Sequence, residues 1–268
     1  MLRSIKELIH YKLKAIDGEI GQVNDFYFDE QSWTIRYLIA DTGTWLTGRK
    51  VLIAPEALKQ PEWAEEQFPV ALKKEAIENS PSIEADKPVS RQHEIELSEF
   101  YGWSPYWRYW SQNPTMGTPI LMTSVHPPTT KDIGVDPAGS INKIVETHND
   151  PYLRSINEVR GYHIQALDDE IGHIDDFIVN DETWRIQYMV IDTRNLLPGK
   201  KVLIAPTWVT SVEWEESLVT VELHKDTIKN SPEYDPDQPI NRSYETVLHD
   251  YYGRPYYWTE EGELEPIY

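Results

Sequence analysis

The sequence predicts an all-β protein with minor helix, arranged as two tandem small β-barrels, and three observations carry that expectation. The first is a repeat. "LRSIKELIHYKLKAIDGEIGQVNDFYFDEQSWTIRYLIADTGTWLTGRKVLIAP", from Leu2, returns without a gap as "LRSINEVRGYHIQALDDEIGHIDDFIVNDETWRIQYMVIDTRNLLPGKKVLIAP", from Leu153, so that every counterpart lies 151 positions on. The second is an alternation of apolar and polar residues with period two. The third is turn chemistry that cuts the chain into short, evenly spaced runs.

The register of the repeat continues past these segments. Trp63 meets Trp214, Pro81 meets Pro232, Arg91 meets Arg242, and "FYGW" from Phe100 meets "YYGR" from Tyr251. Residues vary between the copies while lengths do not, which means strand registers and turns are tightly specified: a slip of one residue turns every inward side chain outward.

Within each copy, "IDGEIG" (Ile16 to Gly21) and "LDDEIG" (Leu167 to Gly172) read as hairpin turns, with Gly18 in a left-handed conformation that Asp169 also tolerates. In "WTIRYLIAD", Trp33, Ile35, Tyr37 and Ile39 are expected on one face, as are Trp184, Ile186, Tyr188 and Val190 in "WRIQYMVID". Burying such a stripe stabilises by about 1.5–3 kcal/mol per large side chain. "FDEQSW" and "NDETW" mark the reversal before these strands. "KVLIAP" is a short strand ended by proline in both copies, and "QFPVALKK" and "SLVTVELHK" alternate again. "KEAIENSP" and "KDTIKNSP" read as a helical turn or two stopped by proline. Short antiparallel strands of this kind remove their edges by closing into a barrel.

The runs "RYLIADTGTWLTGRKVLIAP" and "QYMVIDTRNLLPGKKVLIAP", with the "DGEIG" turn upstream, resemble the PRC-barrel domain, found in the cytoplasmic part of the photosynthetic reaction-centre H subunit and at the C-terminus of the RimM ribosome-maturation factors. The resemblance covers roughly the first 70 residues of each copy. It implies a six-stranded barrel that serves docking or assembly, and it carries no catalytic or cofactor residues. The chain lacks the transmembrane helix of the H subunit and the partner domain of RimM, so neither role transfers directly.

Forty-five acids against 25 lysines and arginines give a net charge of −20, which repels phosphate backbones, and no basic stripe offsets it: "LKK" and "GRK" are too short. A nucleic-acid partner is not expected. The absence of cysteine excludes disulfides, thiolate catalysis and cysteine-based zinc sites. The first residues form no apolar secretory core and no run of about 18 apolar residues occurs, so a cytoplasmic protein without direct membrane insertion is expected.

"DTG" at Asp41 to Gly43 has the look of an aspartic-protease loop, but that chemistry needs two carboxylates sharing a proton, and the second copy reads "DTR". Asp41 and Asp192 are expected to hydrogen-bond a turn. Asp17, Glu19 and Asp25, with Asp168 to Glu170 and Asp175–Asp176 in the second copy, lack an EF-hand's spacing and are expected to be solvated turn carboxylates. The eight histidines form no metal-binding pair, and there is no phosphate-binding glycine loop or nucleophile elbow. No catalytic, cofactor-binding or metal-binding residue is therefore assigned.

The most unusual stretch is "FYGWSPYWRYW", Phe100 to Trp110, with seven aromatics and a proline in eleven residues. It aligns with "YYGRPYYW" and keeps Tyr101/Tyr252, Gly102/Gly253 and Trp107/Trp258, as expected of a docking strap that closes each copy by lying across the neighbouring barrel or a second chain. Trp103, Tyr109 and Trp110 are the expected partner-binding residues. The organisation expected is repeat 1 with its strap over residues 1–107, a Pro/Thr/Gly-rich linker over 108–152, repeat 2 with its strap over 153–258, and an acidic tail over 259–268. The function expected is a non-enzymatic scaffold that binds protein partners, with a homodimer or the cytoplasmic face of a membrane complex among them; the alternative is a small-ligand binder or hydrolase with a cleft between the barrels.

Overall fold

The computed structural model describes residues 1–44, 46, 48–81, 89–107, 153–193 and 200–260. The first copy contributes strands β1 (Leu2–Ser4), β2 (Lys12–Ala15), β3 (Gly18–Asp29), β4 (Thr34–Asp41), β5 (Lys50–Ile53) and β6 (Gln67–Pro69). The second contributes β7 (Leu153–Ser155), β8 (His163–Gln165), β9 (Glu170–Asn180), β10 (Ile186–Asp192), β11 (Lys201–Ile204), β12 (Val209–Glu213) and β13 (Leu218–Val221). They form a mainly β protein of two separate sheets with few helices, one sheet ordered β5-β4-β3-β2-β6 and the other β11-β10-β9-β8-β13-β12.

Two features differ from the expected antiparallel barrels. Both sheets are mixed, because β6 runs parallel to β2 and β13 parallel to β8. After β5 the chain crosses through the 3₁₀ turns Pro55–Ala57 and Trp63–Glu65, so it reaches the far edge in the direction of β2. Nor does strand pairing close: among the described residues it ends at β5 and β6 in one sheet and at β11 and β12 in the other.

Each sheet also holds a strand from the other copy. β1 pairs antiparallel with β9, Leu2 opposite Asn180 and Ser4 opposite Ile178, while β7 pairs with β3, Leu153 opposite Asp29 and Ser155 opposite Tyr27. These registers are the same contact made twice, as in an isologous twofold interface. An isolated bridge joins Thr34 to its own counterpart Arg185, and the Ile35 and Ile186 amides donate to the carbonyls of Trp184 and Trp33, 2.8 Å each. Simple translation of one copy onto the other cannot produce such reciprocal pairs.

The predicted single face of β4 is broken by a bulge. Tyr37 pairs with Tyr27 and Ile35 with Phe28, leaving Arg36 without a partner in the ladder, and Gln187 is skipped in the same way. Ile35 therefore joins Leu38 and Ala40 in the main core, while Tyr37 and Ile39 face a smaller cluster. Trp33 and Trp184 precede their strands, in left-handed turns at φ +52° and +58°. Gly18 has φ +147°, but Asp169 is not among the positive-φ residues, so the two copies turn this corner differently.

Above that smaller cluster lies a helix the sequence reading missed, Arg91–Tyr101, with Arg242–Tyr252 as its counterpart. Ser90 and Asn241 cap the N-termini by accepting from the amides of His93 and Tyr244, and Gly102 and Gly253 end the helices with φ +70° and +62°. The strap follows the helix. Tyr101 and Trp103 pack on the smaller cluster, which includes Leu153 of the second copy, Trp103 also meets the main core, and Tyr252 lies 4.8 Å from Trp208. Strand exchange joins the copies in addition to these contacts. The main core passes between the copies, with Phe28 6.1 Å from Phe177 and Trp184 reaching Phe26 and Phe68. No helix among the described residues is long and apolar enough to cross a membrane.

Gly21 and Gly172 allow the closest backbone approach. A Cβ on Gly21 would lie 1.9 Å from the Asp41 carbonyl oxygen, and one on Gly172 2.1 Å from that of Asp192. At Gly102 a Cβ meets nothing within 4 Å. Urea unfolding is expected to show Gly21→Ala and Gly172→Ala each losing about 3 kcal/mol or more, through backbone displacement. Gly102→Ala should lose only about 1 kcal/mol, the left-handed penalty; similar losses at all three positions would contradict the close approach.

Candidate functional site

Three constructions hold the copies together and shape the surfaces between them. The first is a pair of clasps. The exchanged strand β1 ends at Ser4, whose hydroxyl donates to the Asp176 carboxylate of the other copy while its oxygen accepts from the Glu7 amide. Asp176 also accepts from the Lys6 amide at 3.0 Å. Ser155, Asn157 and Asp25 repeat the arrangement, with the Asn157 amide 3.1 Å from Asp25. Asp25 and Asp176 are buried, and burial raises both carboxyl pKa values although the hydrogen bonds from Ser155 and Ser4 pull the other way.

These two residues are not the solvated turn carboxylates expected. Asp175 departs too: burial pushes its pKa up, but Lys201 and Lys6, at 2.8 and 3.0 Å, hold it down to about 2. Asp17 and Asp168 do behave as turn residues, accepting from the amides of Lys74 and Lys225 at 2.8 Å. The exchanged arms are pinned further by Arg3 and Arg154, which stack 4.0 and 4.3 Å from Trp63 and Trp214 and pair with Asp181 and Glu30 of the opposite copies.

The second construction is a buried carboxylate under each closing helix. Glu94 is 2% exposed, pairs with Arg91 at 2.9 Å and accepts from the Tyr106 hydroxyl at 2.9 Å. Arg91 in turn lies 4.3 Å from the Trp107 ring. Glu245 repeats this with Arg242 at 3.0 Å, Tyr257 at 2.7 Å and Tyr188 at 3.0 Å. Burial lifts the Glu94 carboxyl to about 7 against the pull of Arg91 and of hydrogen bonds from Tyr106 and Tyr37. Here the two copies part. His249 stands where the first copy has Ser98, its Nδ1 2.7 Å from the Pro255 carbonyl and its Nε2 2.9 Å from the Tyr188 oxygen. A carbonyl only accepts, so Nδ1 carries a proton, and the single Tyr188 proton lies between Nε2 and Glu245. Burial lowers the His249 pKa.

The third is a pair of related grooves, each walled by both copies. The first has a volume of about 480 Å³ and lies between Pro55, Trp103 and Tyr106 of the first copy and the turn Asp181 to Trp184 of the second. The second, about 700 Å³, lies between Pro206, Trp208 and Tyr257 of the second copy and the turn Gln31 to Thr34 of the first. Both are half-open, and bulged Arg36 borders both.

Of the expected partner-binding residues, Trp103 lines the first groove, half-buried and stacked 4.2 Å from Tyr101. Tyr109 and Trp110 lie outside the described residues, as do the 108–152 linker and positions 261–268. The first two residues assigned to the acidic tail belong to the helix Tyr257–Glu260. Asp41 accepts from the Gly43 amide at 2.9 Å, the turn role expected of it. Asp192 is 1% exposed at the end of β10. Among the described residues no group of three His, Asp or Glu side chains is placed to hold a metal ion.

Sequence reasoning missed Ser4, Asp25, Glu94 and their counterparts as a set. Each is a polar residue kept unchanged in both copies, but so are exposed acids such as Asp17 and Asp168, so recurrence alone does not single them out.

The buried acids lead to two expected outcomes. Asp176→Ala leaves the Ser4 hydroxyl and the Lys6 amide without their acceptor and is expected to cost about 1–3 kcal/mol in urea unfolding. Glu94 binds its proton more tightly folded than unfolded, so its contribution is complete below pH 4.5 and is lost as pH rises to about 7. Stability compared between the wild type and Glu94→Gln across that window should show the wild type alone losing this contribution; parallel curves would refute the assignment. Comparison with known proteins leaves the chain unassigned: no family model matches it, and no curated protein sequence does.

Proposed function

We propose that each copy is a module of the PRC type whose unclosed sheet borrows one strand from its twin, and that the pair is a non-enzymatic, cytoplasmic docking module for protein partners. The observation that carries this reading is the pair of half-open grooves, each made from both copies and absent from either copy alone. Duplication followed by strand exchange supplies surfaces that a single small barrel lacks. Their walls combine aromatics and prolines with polar and charged side chains, the mixture of apolar anchors and polar rim found at protein interfaces. A single chain also completes the twofold pairing internally, so the module needs no second copy to form its grooves.

The rival reading, a small-ligand binder or hydrolase, has one observation in its favour: Arg36 of the first copy and His249 and Arg254 of the second line the same groove. Two of these side chains already serve the fold. Arg36 pairs with Asp29 at 3.4 Å and lies 4.0 Å from the Tyr106 ring, and His249 is held between Pro255 and Tyr188. Docking therefore accounts better for the arrangement.

A photo-crosslinking residue placed at Gln60 or Thr207, exposed positions in or beside the two grooves, tests the reading. In extract of the native organism either position is expected to trap a discrete protein, in a manner suppressed by excess unlabelled chain. Trapping no stronger than at exposed Lys229, on the helix Lys225–Lys229, would defeat it.

A further inference from the structure

The two grooves are built from equivalent segments, yet their charges are opposite in character. Glu56, Asp181 and Glu182 line the first, against Arg36 and Lys59. The second is lined by Arg36, Arg185, Arg254 and His249, and among the described residues no carboxylate lines it. The substitutions responsible are at matched positions: Thr207 replaces Glu56, Gln31 stands for Glu182, Arg185 for Thr34 and Arg254 for Trp103. In a chain of net charge −20, a groove lined by arginines and by no carboxylate departs from the overall charge, even with Asp29 paired to Arg36 and Glu222 to Arg254 from outside the lining.

We propose that this second groove is a binding site for an acidic, extended peptide segment of a partner protein, and that the first groove does not share this preference. The inference rests on the docking reading and names the chemistry of its partner. Arg185 is exposed, and among the described residues its side chain has no hydrogen-bond or ion-pair partner. Among the described residues the Arg254 side chain is engaged with Glu222 alone, donating to its backbone carbonyl at 3.2 Å and pairing with its carboxylate, 63% exposed, at 3.3 Å; the surface ion pair exchanges readily for a better-placed carboxylate. The two guanidiniums stand beside the aromatic surface of Trp33, Trp208 and Tyr257, so a segment that alternates carboxylates with apolar residues satisfies both parts of the wall. A groove of about 700 Å³ open to solvent takes such a segment along its length. A small anion would leave the aromatic wall uncovered.

The test is fluorescence anisotropy on the full chain with a labelled decapeptide of alternating glutamate and proline, alongside its glutamine counterpart and a citrate competitor. Saturable binding of the glutamate peptide at low salt is expected, at least about tenfold tighter than the glutamine peptide and weakened at least about tenfold by Arg185→Glu or Arg254→Glu. Lys59→Glu in the first groove should leave affinity unchanged, and circular dichroism should show all three variants folded. No binding, or binding unaffected by Arg185→Glu, overturns the proposal. Equal affinity for the two peptides overturns the charge preference while leaving the docking reading intact, and displacement by citrate at concentrations similar to the peptide's assigns the site to small anions instead.

Discussion

Everything else in the molecule depends on the reciprocal exchange of the first strand of each copy. β1 and β7 are only three residues long, and strands so short contribute little by pairing alone. Their hold comes from the serine at the end of each, which caps a one-turn helix and donates to a buried aspartate of the opposite sheet. A buried carboxylate short of donors is costly; Asp25 and Asp176 each accept one amide from their own strand, Phe26 or Phe177, and take their other donors from the foreign arm, so their burial depends on that arm. The requirement runs in both directions, which fixes the twofold relation. It also places Trp33 and Trp184 where their carbonyls can meet the opposite copy.

Those tryptophans show how local strain serves the interface. Bulky residues rarely accept positive φ, yet both copies hold tryptophan there. In return the turn aims one carbonyl across the axis and one ring into the shared core, where Trp33 stacks 5.3 Å from Phe28 and Trp184 reaches Phe68. The bulge at Arg36 and Gln187 belongs to the same adjustment. It shifts the phase of β4 and β10 so that Tyr37 joins the smaller cluster while Tyr188 stays in the main core, and the hydroxyls of both approach the buried Glu94 and Glu245.

The sequence made the β character, the duplication and most strand positions legible, because period-two patterning and turn residues act locally. "KVLIAP" became the strand its residues favour in both copies. Strand exchange was invisible to that reasoning: three residues, "LRS", are too short to carry an alternation, and nothing in them says which sheet receives them. The helices over Arg91–Tyr101 and Arg242–Tyr252 were hidden for another reason. Their aromatic C-terminal ends drew attention from an N-cap serine or asparagine at the start and a left-handed glycine at the stop, both of which are in the sequence. The acids were misread because burial depends on the opposite copy, and nothing local distinguishes buried Asp176 from exposed Asp168.

Comparison of the copies separates what the fold requires from what each half has been free to change. Ser4, Asp25, Glu94, Tyr106 and Trp107 recur in the second copy because each belongs to a clasp or a buried network. Glu56, Glu182, Thr34 and Trp103 do not recur, and all of them border a groove. These differences fall on the surfaces that the exchange creates, while the exchange itself is kept. The second groove has Thr207 and Gln31 where the first has Glu56 and Glu182, and Arg185 and Arg254 where the first has Thr34 and Trp103, so the two halves, alike in architecture, present chemically different surfaces.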